Sequence, residues 1–280
     1  MTTKVTNRNI PVIDKVGYGV GNLSIGIAMQ VVGTYLVFFS TVILGIPGYL
    51  VGIAVSISIF WDAITDPLMG YLSDITKSKI FGRRHLYLII GSLGVSATIF
   101  LMWTIPAYLD TNLKFVILFI YIILFKSFIT IYVTPYTALG AELSSDYNER
   151  TSIQSIKTIF FLFGLAFVSV AGLYVFFQPT IEFPSGQLNP MSYRNIGIMS
   201  AVVVVVSTFV CYWATMKYIP ILNKYQIKEA KGKKLDILVE SLKSTFANPA
   251  FRAVALCYLF NIHCRTLIVF FGYVHPNRLR

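Results

Sequence analysis

Two aspartates one helical turn apart, set in a long apolar run, are the residues best suited to chemistry in this sequence: Trp61-Asp62-Ala63-Ile64-Thr65-Asp66-Pro67. A carboxylate inside a bilayer costs about 2.5–3.5 kcal/mol on insertion scales, so two in one segment are hard to keep without a use. Their i, i+4 spacing puts both on one helix face. Pro67 has no backbone N–H, and the weakened helix can leave Thr65 and nearby carbonyls free to join a coordination shell. Hard oxygen donors in a small cage suit sodium, lithium or a proton. The alternative is structural: acids that cap a broken helix or pair with a basic residue.

A second candidate follows at once. Gly70-Tyr71-Leu72-Ser73-Asp74, then Lys77, Lys79 and Gly82-Arg83-Arg84, make a turn rich in glycine and arginine with one acid. At a helix end such a turn can hold neighbouring helices together through charged hydrogen bonds. It is equally what ordinary basic decoration of a cytoplasmic loop would look like.

The elements that must position these groups are set by composition. The 280 residues are 56% hydrophobic and only 12% charged, with a mean hydropathy of +0.70. Soluble chains carry about 25% charged residues. Apolar runs near the roughly 20 residues needed to cross a bilayer recur along the chain. The pattern predicts an all-α, polytopic membrane bundle with spans at residues 17–41, 48–72, 86–108, 115–139, 153–177, 196–218 and 253–273. Residues 1–16 form a tail, and 219–252 a basic linker with an amphipathic helix over about 224–246. Residues 253–280 form the seventh span and a short end.

Charge orients the spans. Lys4, Arg8 and Lys15, then Lys77, Lys79, Arg83 and Arg84, then Arg150 and Lys157, then Lys217 through Arg252 all fall on one side. The alternate connections hold only Lys114 and Arg194, so the N-terminus is cytoplasmic. The formal charge of +11 therefore reads as topology, and nucleic acid is excluded as a partner because no basic stripe is interleaved with exposed aromatics. Cys211, Cys257 and Cys264 lack metal spacing and are expected to be inert buried thiols. Six spans, a linker and a seventh span resemble half of a twelve-span transporter. Truncation or a frameshift is the expectation, with a missing second half or a dimer completing the machine.

Trp61–Pro67 with the Gly70, Asp74, Gly82, Arg83, Arg84 loop resembles the glycoside–pentoside–hexuronide:cation symporters, the melibiose-permease branch of the major facilitator superfamily. The start at Lys15-Val16-Gly17-Tyr18-Gly19-Val20-Gly21-Asn22 is similar, and so is Thr134-Pro135-Tyr136-Thr137-Ala138-Leu139-Gly140-Ala141-Glu142-Leu143 with Asp146 and Glu149-Arg150. The resemblance covers about residues 10–250 and implies sugar uptake by alternating access, coupled to sodium or a proton. It implies no other cofactor or metal, no enzymatic activity, and a place in the plasma membrane, in bacteria the inner membrane. By resemblance, Asp62 and Asp66 are the cation-binding carboxylates, Thr130 adds a fourth-span hydroxyl, and Thr65 stands between the acids where melibiose permease has asparagine. The two acids that hold the galactoside there align with Gly26 and Val133, so melibiose is not the expected substrate.

Lys126 lies inside the fourth span, one turn before Thr130 and on the same face. Counted from the outer ends of the predicted spans at 1.5 Å per residue, Asp62 and Thr130 fall at about the same depth, with Lys126 a turn higher. Lys126 is expected to pair with Asp62, competing with the cation or tuning its proton affinity. It could instead meet a hexuronide carboxylate, or snorkel to water. Tyr35, Tyr132, Tyr136 and Trp61 are candidates to stack on a sugar, although most aromatics in such a chain face lipid. His85 is expected at the cytoplasmic interface.

Rival classes fail on specific residues. A retinal protein needs a lysine in its last span, and residues 253–273 contain none. An intramembrane aspartyl protease needs its two carboxylates on different helices, whereas Asp62 and Asp66 share one. A lipid transporter of the same superfamily and a non-functional remnant stay open.

Overall fold

The computed structural model describes residues 9–76, 78 and 81–222, with 247–249, 251–253, 256–257 and 260. The expected amphipathic helix, most of the seventh span, Cys264 and Lys77 lie outside the described residues. The chain divides into two compact units, residues 1–227 and 228–280. In the second, a helical turn is closed by the Arg252 amide on the Asn248 carbonyl at 3.1 Å. Cys257 there is exposed, against the expected burial.

The first unit is built of six long helices, each apolar and long enough to cross a membrane. They are α1 Val12–Phe38, α2 Gly48–Ile75, α3 Gly82–Met102, α4 Thr111–Leu143, α5 Tyr147–Ala171 and α6 Pro190–Thr215; a short α7, Ile219–Leu222, follows. α1 and α5 each end in a π-helical turn, at Phe39–Ile43 and Gly172–Phe176. Three helices start earlier than hydrophobicity alone suggests, because caps fix them. The Asp110 carboxylate accepts the Asn112 amide at 2.9 Å, Asp146 that of Glu149 at 2.9 Å, and Asn189 that of Met191 at 3.0 Å beside Pro190. α3 stops at Met102 rather than near Tyr108. Pro106, four residues further on, cannot donate to a continuing helix and biases Ile105 away from helical backbone.

α1 packs on α5 and α6, α3 on α4 and α6, and α2 chiefly on α4. Two apolar clusters hold these contacts. One gathers Ile27, Val31, Phe39, Trp103, Leu118 and Tyr193; the other gathers Tyr18, Leu88, Tyr132, Tyr136, Leu139 and Cys211. Where helices approach closest they use glycine. A Cβ on Gly91 would stand 2.8 Å from the Tyr132 amide nitrogen, and one on Gly164 would stand 2.9 Å from the Leu23 carbonyl. Such contacts replace the hydrophobic drive that lipid removes. Lys114, expected in an outer loop, is buried. Its ammonium bonds the Leu44 carbonyl at 2.5 Å and that of Ala107 at 3.3 Å, tying two loop ends to α4. α2 contributes few buried side chains, so much of it, including the Trp61–Pro67 stretch, lies on the outside of this unit.

Candidate cation and substrate site

α2 runs straight through Pro67 and stays helical to Ile75. Pro67 therefore acts locally: it withholds the amide that would bond the Ala63 carbonyl, without breaking the helix. Thr65 does not turn toward the acids. Its hydroxyl donates back to the Trp61 carbonyl at 3.0 Å.

The acids meet α4 in a repeating register. Lys126 Nζ donates to Asp62 Oδ2 at 2.6 Å, and Thr130 Oγ1 donates to Asp66 Oδ1 at 2.8 Å. One turn on, a Cβ built at Gly70 would stand 3.7 Å from the Thr134 methyl. Each pair is 64 residues apart, so the two helices lie parallel and repeat their contacts once per turn. This moves the expected depths by one turn: Lys126 is level with Asp62, and Thr130 with Asp66. The cause is the Asp110 cap, which starts α4 at Thr111, four residues before the predicted edge. At 1.5 Å per residue, Asp62 lies about 21 Å along α2 and Lys126 about 22 Å along α4.

The Lys126 and Asp62 side chains are 23% and 25% exposed. Asp62 Oδ1 is buried and has no hydrogen-bond partner among the described residues. Asp66 is exposed and Thr130 buried. Trp61 stands at the rim, more than a third exposed, with its indole N–H on Ser127 Oγ at 2.8 Å. Ser127 was not a candidate from sequence; its neighbour Lys126 was the only signal. The arrangement offers carboxylate and hydroxyl oxygens together with one ammonium. That set fits a small monovalent cation better than a divalent one, because the lysine removes one negative charge.

The tyrosines part company. The Tyr136 hydroxyl donates to the Tyr18 carbonyl at 2.7 Å, the Tyr18 hydroxyl donates to the Tyr136 carbonyl at 2.9 Å, and the rings stack at 4.6 Å. The Tyr132 hydroxyl donates to the Gly21 carbonyl at 2.9 Å. Both Tyr132 and Tyr136 are sealed in the core, and Tyr35 packs on Phe177 and Tyr193. In this bundle the Tyr132 and Tyr136 hydroxyls are spent on carbonyls and their rings stack on each other, while the Tyr35 ring is packed between Phe177 and Tyr193. Tyr136→Phe is expected to cost about 1 kcal/mol of stability, the net worth of one hydrogen bond. A thermal melt should register it, while substrate affinity in an uptake assay stays within about twofold, below the tenfold that 1.4 kcal/mol would give.

At the end of α2, Arg84 Nη2 lies 2.8 Å from Asp74 Oδ1 and 2.6 Å from Glu142 Oε1, and its Nε donates to Glu142 Oε2 at 3.0 Å. Arg83 also pairs with Glu142. Asp74, Arg83 and Arg84 thus join α2, α3 and α4 through Glu142, which sequence reasoning quoted in a motif but did not rank as a site. Gly82 opens α3 with φ +65°, a backbone that favours glycine. A Cβ there would also press on Ile219 at 3.0 Å. Gly70 has no such constraint. His85 is buried in the first turn of α3, with its Nε2 2.9 Å from the Thr215 hydroxyl of α6. Of the two positions aligned with sugar-binding acids, Gly26 sits against α5 at Gly164 and Val133 is partly buried on the apolar clusters.

Comparison with known proteins joins this geometry. The family of MFS/sugar transport proteins matches residues 17–272. The chain is 33% identical over 169 residues to the uncharacterized symporter sll1374 of Synechocystis, covering 59% of this chain and 31% of that one. It is 29% identical over 254 residues to the inner membrane symporter YicJ of Escherichia coli, covering 90% and 51%. It is also 29% identical over 161 residues to the sodium-dependent lysophosphatidylcholine symporter 1-A of Danio rerio, covering 56% and 29%. The chain spans about half the length, or less, of these relatives. With a family match over most of its length and the two-acid motif on α2, the chain belongs to the glycoside–pentoside–hexuronide:cation symporter family of the major facilitator superfamily.

Proposed function

We propose that this chain supplies the cation-binding bundle of a secondary symporter that takes up a glycoside, pentoside or hexuronide, driven by sodium or a proton. The observation that carries the reading is the α2–α4 seam, with its two acids facing a lysine and a threonine in register. Acids on the outer face of one bundle are where a second bundle would close over them, and alternating access needs such a site between two halves. The coupling ion binds at Asp66 and Thr130 with Asp62 beside them, and Trp61 offers its exposed ring to the substrate. The N-terminus is cytoplasmic and the membrane is the cell membrane, the inner one in a bacterium. Arg83, Arg84, Asp74 and Glu142 form the cytoplasmic junction that holds the bundle while it moves.

Lipid is the second reading, favoured by the resemblance to a relative named for lysophosphatidylcholine. Uptake of a radiolabelled glycoside into vesicles carrying the intact transporter separates them. Glycoside uptake should rise with a sodium or proton gradient, and Asp66→Asn should lower that stimulation by about tenfold or more, equivalent to about 1.4 kcal/mol. Coupled uptake that survives both Asp66→Asn and Asp62→Asn would break the mechanism. Inhibition by lysolipid but not by any glycoside would give the lipid reading.

A further inference from the structure

Two acids of one helix turn meet two different partners. Asp66 receives a neutral hydroxyl from Thr130, whereas Asp62 receives a charged ammonium from Lys126 at 2.6 Å. The ammonium is held by α4 itself, so it competes with any diffusing ion at no translational cost. It is also three-quarters or more shielded, where charge–charge effects are screened less than at a surface.

We propose that Lys126 is a tethered cation that takes Asp62 out of the ion site and sets the ion preference of this chain against sodium. The inference rests on the reading of Asp62 and Asp66 as the ion site. Sodium is best held by several oxygens with net negative charge close by. Here one Asp62 oxygen is committed to the ammonium. The other, Oδ1, is buried and without a partner among the described residues, but an ion placed on it would share one carboxylate with the ammonium and meet its repulsion. Asp66 and Thr130 remain, one carboxylate and one hydroxyl. The site carries the charge of one acid, not two. Of the other cations on helices packed against α4, Lys157 meets the Thr137 hydroxyl at 3.3 Å, two turns beyond Thr130, and Arg83 and Arg84 are held by Glu142 and Asp74, so the ammonium beside Asp62 is the decisive one.

Binding of radioactive sodium to the purified chain in lipid nanodiscs, at one fixed pH, tests this directly. Lys126→Ala should bind sodium at least tenfold more tightly than the unaltered chain, and Lys126→Met, nearer in volume, should do the same. Lys126→Arg keeps the charge and should stay within twofold of the unaltered chain. Lys126→Ala with Asp66→Asn should lose the gain. Each variant is compared as monodisperse protein, and two neutral replacements guard against one that fails to fold. If neither neutral variant gains affinity while Asp66→Asn still abolishes sodium binding, the tethered-cation proposal falls and the ion-site reading stands. If Asp66→Asn changes sodium binding in no background, both fall. Absence of sodium binding in every variant also overturns the proposal.

Discussion

Gly26→Asp is expected to destroy the folded bundle, not to create a sugar ligand. The resemblance to melibiose permease sets position 26 where an acid holding galactoside would stand, so adding the carboxylate looks like a route to that specificity. The fold argues otherwise. A Cβ at Gly26 would run into the Phe161 carbonyl of α5 and stand 3.3 Å from Gly164 Cα. Both neighbours are backbone and cannot rotate away. Overpacking of this kind costs about 1–3 kcal/mol or more. An unpaired carboxylate buried in the same contact adds several kcal/mol. The fraction of the chain recovered as a monodisperse peak after detergent extraction should fall close to zero. Gly33→Ala, on the same helix with nothing within 4 Å of its Cβ, should be recovered like the unaltered chain. Normal recovery of Gly26→Asp with new galactoside binding would mean that this face of α1 opens toward substrate.

Glu142→Gln should lower the melting temperature far more than Asp74→Asn. Glu142 accepts from both Arg83 and Arg84, which are nearly inaccessible, and its own side chain is 23% exposed. Arg83 already keeps Nε and Nη1 buried without a partner among the described residues. Neutralising Glu142 leaves two buried guanidinium groups with one acid between them, and breaking a buried pair costs about 3–5 kcal/mol. Asp74 is 39% exposed and, among the described residues, pairs with Arg84, which keeps Glu142 when Asp74 is neutralised. Solvent screens that pair, and its loss is expected to cost about 1 kcal/mol or less. Thermal unfolding in detergent, followed by the monodisperse fraction, reads the difference. Equal shifts in the two variants would mean that Glu142 does not anchor the junction.

How far the sequence reached depends on the range of the force involved. Spans were legible because burying a backbone in lipid demands about 20 apolar residues in a row, which is a local property. Their edges were less so, since one capping side chain decides them: Asp110 and Asp146 start helices that hydrophobicity placed later, and Pro106 ends one earlier. Polarity suggested an outer loop for Lys114 and the cytoplasmic mouth for His85. Lys114 is buried because the Leu44 carbonyl of a loop end meets it, and His85 because the Thr215 hydroxyl of α6 does.

By itself the sequence determined that the chain is a polytopic helical bundle, that Asp62 and Asp66 share a face, and that Lys126 and Thr130 share another, because each is fixed by helical period along one segment. The Lys126–Asp62 pair was also expected from the sequence; only the tertiary structure decided its register and what Thr130 meets. The parallel register of α2 and α4 sets Lys126 on Asp62 and Thr130 on Asp66, a shift of one turn that follows from where α4 begins. The same packing took Tyr132 and Tyr136 from possible sugar contacts to core, since an aromatic side chain in a membrane helix is equally at home against lipid, ligand or another ring, and only its neighbours across the helix interface choose.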